Sequence, residues 1–127
     1  MEQVNLAENL ARYIFQKNHF SSQNNTVKYA AFMPPPSNRL SVFRILGLAE
    51  NEIWRIGYEV GEKSVRSLLG RADIKALSVI EAELHIDADD IPPRHADIIG
   101  WPEEASAIKL KAIELAEKAQ LRLKEGG

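Results

Sequence analysis

An α+β fold is predicted for this chain: a small, mostly antiparallel sheet packed against helices, with a long C-terminal helix. Three observations predict it. Glu103 to Lys124 carries apolar residues at helical spacing. Leu40 to Ile45 alternates as a strand does, with Leu40, Val42 and Arg44 on one face and Ser41, Phe43 and Ile45 on the other. Prolines and glycines break the stretches between into short pieces. The 127 residues suit one domain, 1–127, long enough to bury a core.

Asn5 can cap a helix with Glu8 three positions on, and Leu6, Leu10 and Ile14 with Ala7, Ala11 and Phe15 predict an amphipathic helix over 6–17. The polar stretch from Asn18 to Thr26 reads as an exposed loop. Val27 to Phe32 reads as a strand, stopped by Pro34-Pro35-Pro36 because proline cannot donate to a ladder. That proline loop would join it, antiparallel, to the strand at 40–45. Ile53, Ile56, Gly57 and Val60 share one face of a helix over 49–60, with Glu50 and Glu52 where the helix dipole favours acids and Gly61 as its cap.

The stretch 62–70 holds at most a helical turn. Over 72–86 helical and strand patterns overlap; a helix at 74–81 and a short strand at 84–87 are expected. A short strand follows at 96–99, between Ile91-Pro92-Pro93 and Gly100-Trp101-Pro102, where each X-Pro step disfavours helix in the residue before it. Pro102 would open the final helix, with Ile108, Ala112, Leu115 and Ala119 as its buried stripe.

Composition narrows the function classes. The apolar fraction of 45%, charged fraction of 27% and formal charge of −2 are those of an ordinary globular protein, not of one that coats nucleic acid by neutralising phosphates. With no cysteine there is no thiolate metal site, thiol nucleophile or disulfide. No apolar run is long enough for a membrane span, and Met1 to Asn5 lacks the features of a signal peptide, so a cytoplasmic location is expected. The sequence contains no P-loop, dinucleotide fingerprint, Gly-x-Ser-x-Gly elbow or His-Glu-x-x-His motif.

The densest chemistry lies in Asp87 to Trp101. An extended 94–99 puts His95 and Asp97 on one face, their α-carbons about 7 Å apart at the usual strand rise. That pair suits a general acid/base with its orienting carboxylate, but a histidine bonded to a loop carbonyl that holds the proline turn shut is the reading to prefer. Asp87, Asp89, Asp90 and Asp97 with His95 could offer oxygen ligands to magnesium or calcium, but they lack the EF-hand spacing and read equally well as solvated turn residues. No metal and no cofactor are expected.

Arg44 stands on an otherwise apolar face, either in a cleft or paired with an acid such as Glu50 or Asp97. His19, Lys28, Arg39, Arg44 and Arg94 would make an anion site if they converge, with Trp101 as a core or pocket-wall residue. The proline triplet with Phe32 and Met33 reads as a rigid loop or a recognition segment.

The strings His19-Phe20, Leu40 to Arg44 and Pro92 to Pro102 resemble those of small uncharacterised prokaryotic proteins. The resemblance covers most of the chain and implies a bacterial, cytoplasmic origin, with no activity or residue role attached. The expected function is a non-enzymatic binding or regulatory module for a protein partner or a small anionic ligand. The alternative is a small enzyme acting on a nucleotide or phosphoester, with His95 and Asp97 as its acid/base pair and Arg44 or Arg94 holding the anion. Nucleic acid and membrane are not expected as partners.

Overall fold

A computed structural model describes residues 4–124; Met1 to Gln3, within the segment read for a signal peptide, lie outside them. In chain order its elements are β1 (Asn9–Ile14), β2 (Phe20–Ser21), β3 (Thr26–Val27), β4 (Leu40–Arg44), α1 (Glu50–Ser64), β5 (Gly70–Lys75), α2 (Ala76–Glu81), β6 (His85–Asp87), β7 (His95–Ile99), α3 (Ala105–Lys118) and β8 (Gln120–Leu123). Six strands form one sheet in the order β6-β7-β4-β1-β5-β8, and every neighbouring pair in it is antiparallel. The α+β class and the antiparallel sheet are as expected.

The first segment is a strand and not a helix. β1 lies inside the sheet, where Leu10 and Ile14 face one core and Ala11 and Tyr13 the other. A strand buried on both faces loses its apolar–polar alternation, so its spacing passes for a helix. The Asn5–Glu8 contact does form: Asn5 N–H donates to Glu8 Oε1 at 2.9 Å, and Glu8 N–H to the Asn5 carbonyl at 3.0 Å. It closes a turn ahead of β1.

The main core lies between one face of the sheet (Leu10, Leu40, Val42, Ile74, Ile98) and the layer of α2, α3 and the 3-10 turn Tyr29–Phe32. That turn and the small β2–β3 hairpin replace the expected strand over 27–32 and loop over 18–26. Hence β4 does not pair with 27–32; its neighbours are β1 and β7. On the opposite face α1 packs Ile53, Ile56 and Val60 over Ala11, Tyr13 and Phe43, as the helical spacing of these residues requires. The helix is longer than expected, passing Gly61 and ending on Val65, which adopts the left-handed conformation at φ 54°.

β5 escaped the pattern because its α1-side face carries Arg71 and Asp73, buried against one another. The helix and strand expected within 72–86 appear as α2 and β6. The C-terminal helix is shorter than expected, 14 residues beginning after Pro102, while 120–123 pair with β5 as an edge strand. Ala112 and Leu115 are fully buried as expected. Among the described residues no helix is long and apolar enough to cross a membrane.

Candidate functional site

Register decides what meets on the α1 side of the sheet. β4 and β7 pair with Ser41 opposite Asp97 and Phe43 opposite His95, so these four side chains share one face. α1 covers the central strands, and Ser41 and His95 fall at its margin, where the loop 88–94 rises to form a second wall. That loop is pinned by its own bonds: Asp90 N–H donates to the His95 carbonyl at 3.0 Å, His95 N–H to the Pro92 carbonyl at 2.9 Å, and Ile91 N–H to Asp89 Oδ1 at 3.2 Å. The Ile91–Pro92 peptide is cis.

The folded-back loop carries Asp89 over the His95 ring. Nδ1 of His95 lies 2.7 Å from Asp89 Oδ1, and Nε2 lies 2.8 Å from Ser41 Oγ and 3.4 Å from Asp97 Oδ1. A carboxylate can only accept, so Nδ1 carries a proton and donates it to Asp89. In neutral His95, Nε2 then accepts from the Ser41 hydroxyl. The ring stands edge-on to Phe43, centroids 5.5 Å apart. His95's hydrogen bond holds the Asp89 carboxyl below the usual carboxylate range. On the far side Arg39 Nε donates to Asp97 Oδ2 at 2.9 Å and Arg39 Nη2 to Asp87, tying two carboxylates to one guanidinium.

His95 and Asp97 are therefore brought together, though not in the expected roles. Asp89, six positions back along the chain, is the carboxylate that orients the ring. Of the other expected residues, Arg94 joins His95 in lining a pocket of about 520 Å³ between α1 and the loop, its Nη1 donating to the carbonyls of Arg44 and Leu46. Arg44 does not line it. Its side chain points to the opposite face of β4 and pairs with Glu8 at 3.0 Å, in place of the Glu50 or Asp97 expected. Lys28 is exposed beside the β2–β3 hairpin, and His19 sits in the 3-10 turn Lys17–His19, its imidazole pushed below its ordinary value by burial and by Arg12 and Arg66. Trp101 is core, its indole N–H donating to the Ile98 carbonyl. The anion site expected of these residues is not assembled.

Ser41, which the local sequence does not mark, lines the pocket beside His95. Strand alternation does place it on the Phe43 face, but nothing local says that His95 is its neighbour. For a metal, Asp89, His95 and Asp97 bring ligand atoms within 4.8 Å of one another. Asp89 and Asp97 are already engaged by His95 and Arg39, and Asp90 accepts from Arg94 N–H at 2.6 Å, so the cluster is held together by its own partners.

The chain matches no protein-family model, and no curated protein or solved structure matches it either. Its chemistry must be read from the pocket. The walls are apolar, formed by Phe43, Ile56, Val60, Pro92 and Pro93, while Ser41 and His95 sit on the floor and Lys63 and Arg94 supply positive charge.

Proposed function

We propose that this chain is a binding module for a small, mostly apolar molecule carrying one anionic group, most simply a carboxylic acid. The observation that carries this reading is the pocket between α1 and the loop 88–94. At about 520 Å³ it has the size of a small-molecule site, and apolar walls with a few convergent polar groups are what such sites use to hold and orient a ligand. Lys63 and Arg94 against Glu59 leave the lining one positive charge in excess, counting His95 as neutral, which favours an anion. On the resemblance of its sequence strings we place the protein in a bacterial cytoplasm.

The alternative, an enzyme for a nucleotide or phosphoester, has less support. Arg44, one of the two arginines that reading offers to hold the anion, lies on the opposite face of the sheet paired with Glu8, and no glycine-rich phosphate loop stands in its place. A concave pocket of about 520 Å³ with apolar walls favours a small ligand over a protein partner.

The test is a thermal-shift series with aliphatic and aryl carboxylates, hexanoate and 4-phenylbutyrate among them. A ligand at about a hundred times its Kd adds roughly 2.7 kcal/mol, a shift of several degrees for a protein of this size. Val60→Trp, which fills the pocket from α1, should abolish the shift, and Lys63→Gln should weaken it. If no carboxylate shifts wild type, or if Val60→Trp responds as wild type does, the reading is wrong.

A further inference from the structure

We infer that Ser41 is a nucleophile toward carboxylic esters with a small apolar acyl group, activated by His95 and positioned through Asp89. The inference rests on the pocket reading above and extends it, since the anionic ligand would then be the acid that the reaction releases. Three observations carry it.

The first is the chain of distances: Ser41 Oγ to His95 Nε2 at 2.8 Å, and His95 Nδ1 to Asp89 Oδ1 at 2.7 Å. A nucleophile within hydrogen-bond reach of a base, itself oriented by a third group, is the arrangement that activates a hydroxyl. The second is access. Ser41 and His95 line the pocket together, whereas a structural Ser–His pair has no need to open onto a cavity. The third is the second carboxylate. Asp97 Oδ1 lies 3.4 Å from Nε2, and Asp97 is anchored through its other oxygen by Arg39, so negative charge flanks both edges of the ring. An imidazolium formed as the serine proton arrives is stabilised there.

The reaction balances without any further reagent than water. Ser41 Oγ attacks the ester carbonyl carbon as its proton passes to His95 Nε2. The tetrahedral adduct collapses with cleavage of the bond to the alcohol oxygen, and Nε2 returns the proton to that oxygen. Water then attacks the acyl-Ser41 carbonyl, giving its proton to Nε2, and the acid leaves as Ser41 recovers its hydrogen. The apolar walls select the acyl chain.

The experiment is to mix the full chain with p-nitrophenyl hexanoate, follow p-nitrophenol release in the first turnover, and map the adduct by peptide mass. A hexanoyl group on Ser41 is expected, absent in Ser41→Ala. That variant gives up one side-chain hydrogen bond and keeps the backbone carbonyl that Arg12 uses, so it should fold. Acylation should slow by about a hundredfold or more in His95→Gln. Asp89→Asn should slow acylation and alter its pH profile, as a positioning residue would and a purely structural one would not. No adduct, an adduct on Lys63 or elsewhere, or equal labelling of Ser41→Ala overturns the inference. If hexanoate still shifts the melting temperature in that event, the pocket reading survives alone; if it does not, both fall.

Discussion

Arg71 and Asp73, two positions apart on β5, point to the same face of the sheet and pair at 2.9 Å, with the Arg71 side chain only 1% exposed. Glu50 at the start of α1 takes the other side of the guanidinium at 2.9 Å, and Trp54 lies beneath it at 4.7 Å. Removing Asp73 leaves the buried Arg71 Nε without its acceptor and the guanidinium with Glu50 alone, so Asp73→Ala should cost about 1–3 kcal/mol by urea unfolding. The double variant Arg71→Met, Asp73→Leu should recover most of that loss, because it leaves no buried charge and the Glu50 it frees is exposed to water. A double variant no more stable than Asp73→Ala would show that the arginine is needed for more than partnering the acid.

Two carboxyls, one in this network and one beside His95, set a pH dependence. Arg71's hydrogen bond holds the Glu50 carboxyl below its ordinary value of 4.5, and His95's holds Asp89 below 3.8. A carboxyl depressed by folding contributes stability that is fully present above its ordinary value and is lost as pH falls through the folded value. Asp73 opposes this, since burial pushes its carboxyl up. Wild-type stability should therefore decline once pH drops below about 4.5, and Glu50→Gln should flatten part of that decline. Superimposable urea midpoints for the two proteins from pH 6 to pH 3, with pH in roughly half-unit steps, would mean the Glu50–Arg71 contact contributes nothing in solution.

Gly57 allows α1 to lie close to the sheet. A Cβ there would come within 2.7 Å of the Tyr13 ring and 2.9 Å of Leu68. The ring cannot swing aside freely because its hydroxyl donates to the Ile53 carbonyl at 2.5 Å. Alanine would gain up to about 1 kcal/mol of helix propensity, but overpacking costs roughly 1–3 kcal/mol, so Gly57→Ala should be net destabilising. Denaturant midpoints read the sign directly, and a gain in stability would mean that α1 shifts at little cost.

Val65 terminates α1 at φ 54° with its side chain exposed. The left-handed region is costly for a β-branched residue, by about 1–2 kcal/mol, and glycine is its usual occupant at a helix end. Val65→Gly should raise stability by roughly 1 kcal/mol after its greater unfolded-state entropy is counted. A melting temperature that falls would show that the exposed valine makes a contact worth more than the strain.

The readable parts of the fold were those whose environment is one-sided or strongly marked. Ile53, Ile56 and Val60 predicted α1 because one face of that helix meets the sheet and the other meets water. β4 stayed legible although Phe43 is buried beneath α1, because the polar Ser41 between Leu40 and Val42 keeps a strand's alternation. At 9–14 both faces are buried, so Leu10, Ala11, Tyr13 and Ile14 left no alternation to detect. At 120–123 the apolar Leu121 and Leu123 continued the composition of α3, and only pairing with β5 turned them into a strand.

The candidate site divides along the same line. Local chemistry in the sequence determined that His95 would sit among carboxylates on a proline-constrained loop, that it would share a strand face with Asp97, and that thiolate and phosphate-loop chemistry were absent. Tertiary structure alone decided the partners. The β4–β7 register set Ser41 beside His95, 54 positions away in the chain, and the turn-back of the loop replaced Asp97 with Asp89 as the orienting group. Arg44 and Glu8 paired on the far face of the sheet for a related reason: a strand's side chains alternate, and one position along β4 separates the pocket from the opposite side. Spacing along a chain fixes which face a residue takes; only the pairing of strands fixes what it meets there.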